Sequence, residues 1–215
     1  MKNLLIVGAR GFGREVYSLA KQCHGYKKDF IIKGFLDDDQ SALEGFENYP
    51  PIICSVEDYQ VEESDLFIIA LGAVAYKKKY SELVIQKGGA FISLVHPTSI
   101  INDNVIIGEG VIIGQYSTIS NNVVIGNHVT VQNFSAFGHD VKTGDYCSFG
   151  AFTFLGGFVE IEELVTLHPR SSVLPHKKVK RGAIVGAGSV VIRNVLENVT
   201  VHGNPATILF SEKVG

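Results

Sequence analysis

From residue 95 to residue 191 the chain repeats every six residues, and that period leaves few folds open to it. Val95, Ile101, Ile107, Ile113, Ile119, Ile125, Val131, Phe137, Thr143, Phe149, Leu155, Ile161, Leu167, Val173, Val179, Val185 and Val191 stand in one unbroken frame, and Thr143 is its single polar member. The next residue is often glycine, as at Gly108, Gly114, Gly126, Gly138 and Gly156. Four places after each apolar position comes a small or β-branched residue, with Lys177 the one long exception. A period of six matches neither the 3.6 of an α-helix nor plain strand alternation. Hexapeptide repeats specify a parallel β-helix. Each hexad supplies one short strand and one turn, so three hexads close a triangular coil. The large aliphatic fills the interior, the small residue fits the corner, and glycine is expected to take positive φ at the turn. Strands stacked at about 4.8 Å give about five and a half coils, a prism roughly 26 Å tall. A β-sandwich with valine-rich strands would need irregular spacing and longer loops.

The first ninety residues follow another rule. Leu4-Leu5-Ile6-Val7 reads as a short buried strand, running into Gly8-Ala9-Arg10-Gly11-Phe12-Gly13. A helix follows, with Val16, Leu19, Ala20 and Cys23 on one face. Strand, glycine loop and helix make the first half of a Rossmann-type unit, whose loop and helix N-terminus can receive phosphate or can simply make a tight turn. The spacing is G-x-x-G-x-G, which departs from the dinucleotide G-x-G-x-x-G and argues against a nicotinamide cofactor. A second strand, 31 to 36, ends in Asp37-Asp38-Asp39, placed either to hydrogen-bond a ribose or base or to form a solvated acidic turn. Further strands are expected at 52–53, 66–71 and 91–95, and residues 76 to 87, with three successive lysines, read as a surface helix. Strand–helix alternation with short loops predicts a small parallel sheet. The division is expected near His96-Pro97, giving domains of residues 1–94 and 95–215.

Composition narrows the function classes. With 46% apolar and 19% charged residues the chain has a substantial core. A net charge of −3 argues against nucleic-acid binding, which needs a basic face. No apolar run approaches the roughly 20 residues of a membrane span, and MKNLLIVGARGFG reads as a strand and loop, not a signal peptide. Cys23, Cys54 and Cys147 are odd in number and widely spaced, suggesting neither a disulfide framework nor a cysteine metal site. A cytoplasmic location is expected.

The two halves together resemble the bacterial sugar acetyltransferases of the sialic-acid O-acetyltransferase and UDP-amino-sugar N-acetyltransferase type. The resemblance runs from Gly8-Ala9-Arg10-Gly11-Phe12-Gly13 and Phe35-Leu36-Asp37-Asp38 through the hexads to Gly203-Asn204-Pro205-Ala206, which is similar to the G-x-P-A segment closing such helices. It implies an α/β, Rossmann-like N-terminal domain that binds a nucleotide sugar, followed by a left-handed parallel β-helix. It also implies homotrimers, with acetyl-CoA as co-substrate in the groove between neighbouring prisms and no metal.

The family's catalytic base, a histidine followed by an acidic residue, falls on His139-Asp140. The resemblance makes His139 the acceptor of the sugar's proton, with Asp140 orienting the ring. Gly157 lies eighteen residues on, one coil higher and roughly 5 Å away, where a backbone amide can donate to a developing oxyanion. The resemblance puts cofactor contacts at Ser148, Gly157, Pro169 and Ala187. Ser148 replaces a family histidine, and Pro169 has no amide hydrogen to donate. Arg10, Gly11, Phe12, Asp37, Asp38 and Gly72 correspond to nucleotide-sugar contacts, with Phe12 where such enzymes often carry histidine. Ala73-Val74-Ala75-Tyr76-Lys77 departs from the family pattern after the glycine. The outward-facing Phe152, Phe154 and Phe158 suggest an interface, as in a trimer, or an apolar wall beside the acceptor sugar. Lys177, Lys178, Lys180 and Arg181 read as a CoA-phosphate contact or a solvated edge. His24, His96, His128, His176 and His202 read as solvent-facing turn residues, and Cys147 as a buried, inert corner residue.

The expected activity is acetyl transfer from acetyl-CoA to an amino or hydroxyl group of a nucleotide-linked sugar, directly in a ternary complex. One alternative is a non-catalytic nucleotide-sugar-binding scaffold, motivated by the changed positions Ser148, Pro169 and Ala187. Another is a zinc hydratase of carbonic-anhydrase type, which needs three converging histidines. His128, His139 and His168 lack that spacing.

Overall fold

The computed structural model describes residues 1–211 and divides into two compact units, Met1–Pro97 and Thr98–Gly215. In the first, β1 (Lys2–Val7), β2 (Phe30–Leu36), β3 (Ile52–Cys54) and β4 (Asp65–Ile69) form one parallel sheet in the order β3-β2-β1-β4. β1 is central because Leu4, Leu5, Ile6 and Val7 are all apolar, as a strand covered on both faces requires. Helix α1 (Gly11–Gln22) buries Gly13, Val16 and Ala20. Gly13 lies against the carbonyl oxygen of Gly8, so closely that any side chain there would collide with the backbone. Helix α2 (Val74–Gln86) departs from the surface helix expected of three lysines, because Lys77 is buried with Ser81 and Val84 on its packed side. The strand expected over 91–95 shortens to Leu94–Val95, and Phe91 makes only an isolated bridge to Phe67.

The second unit is the left-handed hexapeptide β-helix. Two-residue strands pair in parallel with strands eighteen residues away: Ile106 with Val124, Val124 with Lys142, Thr130 with Ser148, Ala136 with Phe154. Every frame position from Ile113 onward is buried, including Thr143. The helix closes with Val199–Gly203 beside Ile184–Val185, and an antiparallel return over Ala206–Ser211. Phe137 and Phe149 meet edge to face inside, with centroids 4.9 Å apart and both side chains buried. Phe149→Ala empties that layer and is expected to cost about 3–5 kcal/mol, read as a lower denaturant midpoint at unchanged slope.

The glycines following the frame positions have a different purpose from the one the sequence suggests. Positive φ falls two residues later, and mostly on residues other than glycine: Asn104, Tyr116, Asn122, His128, Phe134, Asp140, Tyr146, Phe152, Phe158, Leu164, Arg170 and His176. Gly108 and Gly126 instead make room for the coil above. A Cβ on Gly108 would stand 2.6 Å from Asn127 Oδ1, and one on Gly126 2.5 Å from Asp145 Oδ1. The requirement is close approach between coils, not backbone handedness.

Two histidines also depart from expectation. His96 is buried and hydrogen-bonds Gln22, and burial pushes its pKa down. His128 is buried and stacks on Tyr146 at 5.3 Å. Cys147 is buried at its corner, with its thiol against the Glu162 carbonyl.

Candidate active site

The corner carrying His139 is built from three successive coils. Asp140 takes the left-handed turn conformation at φ 60°, which short polar side chains tolerate better than most. Its N–H donates to Asn121 O below, and Phe158 N–H donates to His139 O from above, so the turn is pinned on both sides. Asp140 Oδ2 lies 2.7 Å from His139 Nδ1. A carboxylate only accepts, so Nδ1 carries the hydrogen and the neutral ring presents the Nε2 lone pair. The other oxygen, Oδ1, faces the Asn122 amide at 3.5 Å, and Asn122 in turn accepts from Asn104 at 3.1 Å. This column of Asn104, Asn122 and Asp140, spaced by eighteen, orients the carboxylate that orients the ring. The sequence reading missed Asn122, although its place one coil below Asp140 was available from the frame.

Gly157 lies directly against the imidazole. A Cβ built on it would stand 2.8 Å from both Cε1 and Nε2 of His139. The Phe158 ring meets the imidazole at 88° and 5.1 Å, and stacks on His176 at 4.9 Å. The His139 side chain is still 58% exposed, so Nε2 is within reach of a substrate. The corner therefore combines an oriented base, an open lone pair and a backbone amide beside it.

The remaining expected cofactor positions lie elsewhere on the prism. Ser148 sits on the strand Ser148–Phe149, which pairs with Thr130–Val131 and Thr166–Leu167 on a different sheet from those flanking His139. Pro169 and Ala187 share another corner, and both are exposed. Within one chain these three do not assemble with His139. Of the cationic cluster, Lys178 pairs with Glu160 at 2.7 Å and Arg181 with Glu163 at 3.1 Å, which favours the solvated-edge alternative for both. Among the described residues no three His, Cys, Asp or Glu side chains group as a metal set. No helix among them is long and apolar enough to cross a membrane.

A separate cleft of about 530 Å³ opens in the first unit at the C-terminal ends of β1, β2 and β4. Arg10, Phe12, Asp37, Asp38 and Gly72 line it, as do Tyr76, from the stretch that departs from the family pattern, and Val56 and Tyr80, which the sequence reading did not single out. Gly11 is not among the lining residues. Gly8 must be glycine, because at φ +101° its absent Cβ would stand 2.9 Å from Ala70 O. The N-terminus of α1 has no side-chain cap, which leaves its amides available to an anion. Asp37 answers the choice between ligand contact and acidic turn in a third way: it ties the glycine loop to the end of β2. Its Oδ2 accepts Ala9 N–H at 2.7 Å and its Oδ1 accepts Asp39 N–H at 2.9 Å. Asp38 accepts from the Tyr80 hydroxyl at 2.7 Å, and burial together with that carboxylate pushes the phenol up to about 12. Arg10 is held by Asp39 at 3.1 Å.

Residues 3–84 match the PglD N-terminal domain family, and residues 90–188 match the GMPPB C-terminal domain family. The UDP-N-acetylbacillosamine N-acetyltransferase of Bacillus subtilis is 31% identical over 116 residues, or 53% of this chain and 51% of that protein. By these matches the chain is similar to nucleotide-sugar acetyltransferases in both of its units. The matched stretch spans about half the length of that curated relative. In fold the likeness to solved structures extends over almost the whole chain. A perosamine N-acetyltransferase from Caulobacter crescentus, solved with CoA and GDP-perosamine, superposes with a TM-score of 0.87 at 21% identity, covering 98% of both chains. The acetyltransferase domain of PglB from Neisseria gonorrhoeae, solved with acetyl coenzyme A, superposes with a TM-score of 0.74 at 24% identity, covering 97% of this chain and 99% of that one.

Proposed function

We propose that this chain transfers an acetyl group from acetyl-CoA to an amino or hydroxyl group of a nucleotide-linked sugar. The observation that carries the reading is the His139 corner, where Asp140 holds Nδ1 and leaves Nε2 open beside Gly157. The acceptor nitrogen or oxygen attacks the thioester carbonyl carbon as its proton passes to His139 Nε2. Charge gathers on the carbonyl oxygen, where the Gly157 amide donates. When the carbon–sulfur bond breaks, the imidazolium returns the proton to the thiolate, giving the acetylated sugar and free CoA. Asp140 stabilises the imidazolium between these steps.

The nucleotide part belongs in the cleft of the first unit, with phosphate at the uncapped N-terminus of α1 and the nucleoside toward Asp38. Because Ser148, Pro169 and Ala187 face away from His139 in one prism, they contribute to acetyl-CoA binding from a neighbouring copy in a homotrimer. The cytoplasm supplies both substrates.

The test is a thiol-release assay with acetyl-CoA and a panel of UDP-, dTDP- and GDP-linked amino-sugars, followed by hydroxyl acceptors. Release that depends on one nucleotide sugar is the expected result. Nucleotide-sugar binding without thiol release on any acceptor would replace the enzyme with a binding scaffold.

A further inference from the structure

Gly157 occupies a position whose amide is capped at other corners of the same prism. It is the second residue after its frame position, Leu155. At the matching place in other hexads, Glu109 N–H donates to Asn127 Oδ1 at 3.0 Å, Gln115 N–H to Asn133 Oδ1 at 2.8 Å, and Asn127 N–H to Asp145 Oδ1 at 2.7 Å. In each case the acceptor belongs to the residue eighteen positions later. Eighteen residues after Gly157 stands Pro175, whose side chain has no oxygen. Among the described residues no acceptor takes the Gly157 amide hydrogen.

We propose that Pro175 is a positioning residue for the transfer reaction: it keeps the Gly157 amide uncapped, and so available to the acetyl thioester oxygen beside His139. Three details of the fold support this. Gly156 is glycine, as Gly108 and Gly126 are, so the space that receives an Asn or Asp side chain in those coils exists here too; the Pro175 ring fills it, with Cδ 2.6 Å from where a Gly156 Cβ would be. The residue after Pro175 is His176 at φ 58°, and Asn127 is likewise followed by a histidine, His128, at φ 56°. The chain thus already contains an Asn–His corner of the same backbone form, so the prism accepts asparagine at this place. Proline therefore answers no requirement of the backbone here, and its effect is to leave the amide of the residue packed against the base without a side-chain partner.

The inference rests on the acetyl-transfer reading, and two measurements on the full chain separate the two. The first is backbone amide exchange at Gly157. Pro175→Asn is expected to slow it by at least about tenfold relative to the parent, because a side-chain oxygen now holds the hydrogen, whereas Pro175→Ala leaves it fast. Unchanged exchange in Pro175→Asn would overturn the proposal whether or not the chain is an enzyme. The second is thiol release with the accepted nucleotide sugar. Pro175→Asn is expected to lose about 10²–10³ in kcat, the scale of removing one oxyanion donor, with KM for both substrates and the melting temperature near parental values. Pro175→Ala retains kcat. Equal losses in the two variants would assign the effect to loss of the ring itself and overturn the proposal. A parent that releases no thiol on any acceptor would sink the transfer reading, and with it the catalytic half of this one, while the exchange result still decides whether Pro175 uncaps Gly157.

Discussion

His139→Ala is expected to lower kcat for acetyl transfer by about 10²–10⁴, the range for losing a positioned general base. Binding of acetyl-CoA and of the nucleotide sugar should stay close to parental, because the nucleotide cleft is formed by other residues. Stability should change little as well, since the His139 side chain is more than half exposed and fills no core. Asp140→Asn is the informative companion. An amide can offer its N–H₂ to Nδ1, which stabilises the tautomer with hydrogen on Nε2 and removes the lone pair that accepts the proton. The ring would stay in place and face the substrate with a donor. Turnover of His139→Ala within threefold of the parent would refute the assignment of the base.

Gly157→Ala is the second large effect, and it acts through geometry alone. The added methyl would stand 2.8 Å from Cε1 and Nε2 of His139, closer than unbonded carbon and nitrogen tolerate. The imidazole is the end of a half-exposed side chain, so it yields before the backbone does and leaves its hydrogen bond to Asp140. A misplacement of about 1 Å at a reacting group can cost about 10²-fold in rate. The variant keeps the amide hydrogen at residue 157, so the loss reports the position of the base and not the number of donors. The expected result is a kcat lower by about 10², with a melting temperature within a few degrees of the parent. A variant that melts far below the parent would show that the backbone and not the ring had moved. One with full kcat would show that Nε2 is not where the proton goes.

Much of this fold is legible because one physical constraint, burial of one residue in six, is written along nearly a hundred residues. Ile113, Phe137, Val173 and their equivalents are buried because each points into an interior that only apolar groups can fill. The frame also makes residues eighteen apart neighbours, which is enough to bring Gly157 over His139. Other features depend on what those neighbours do to each other. Gly108 and Gly126 look like turn glycines in the sequence, yet their smallness accommodates Asn127 and Asp145 one coil away. Asn122 looks like any turn asparagine until its amide is seen facing the Asp140 carboxylate beside His139. In the first unit, the run Asp37-Asp38-Asp39 hides three different attachments: to the glycine loop, to Tyr80 and to Arg10. Three successive lysines look solvated in a sequence, yet they point about 100° apart around α2, and Lys77, the first of them, points inward.

The pairing of every residue with the one eighteen places later limits how such a prism can change in length. Inserting or deleting one residue inside a strand would slide all later rungs out of phase with those before them. Gain or loss of a whole coil would restore every pairing, since each coil touches only the coils directly below and above it. The apparatus around His139 draws on Asn104 and Asn122 below and on Gly157, Phe158 and Pro175 above. Descendants of this chain could therefore grow taller or shorter by duplication at either end without disturbing this corner, provided the tier that carries Pro175 stays over the one that carries His139.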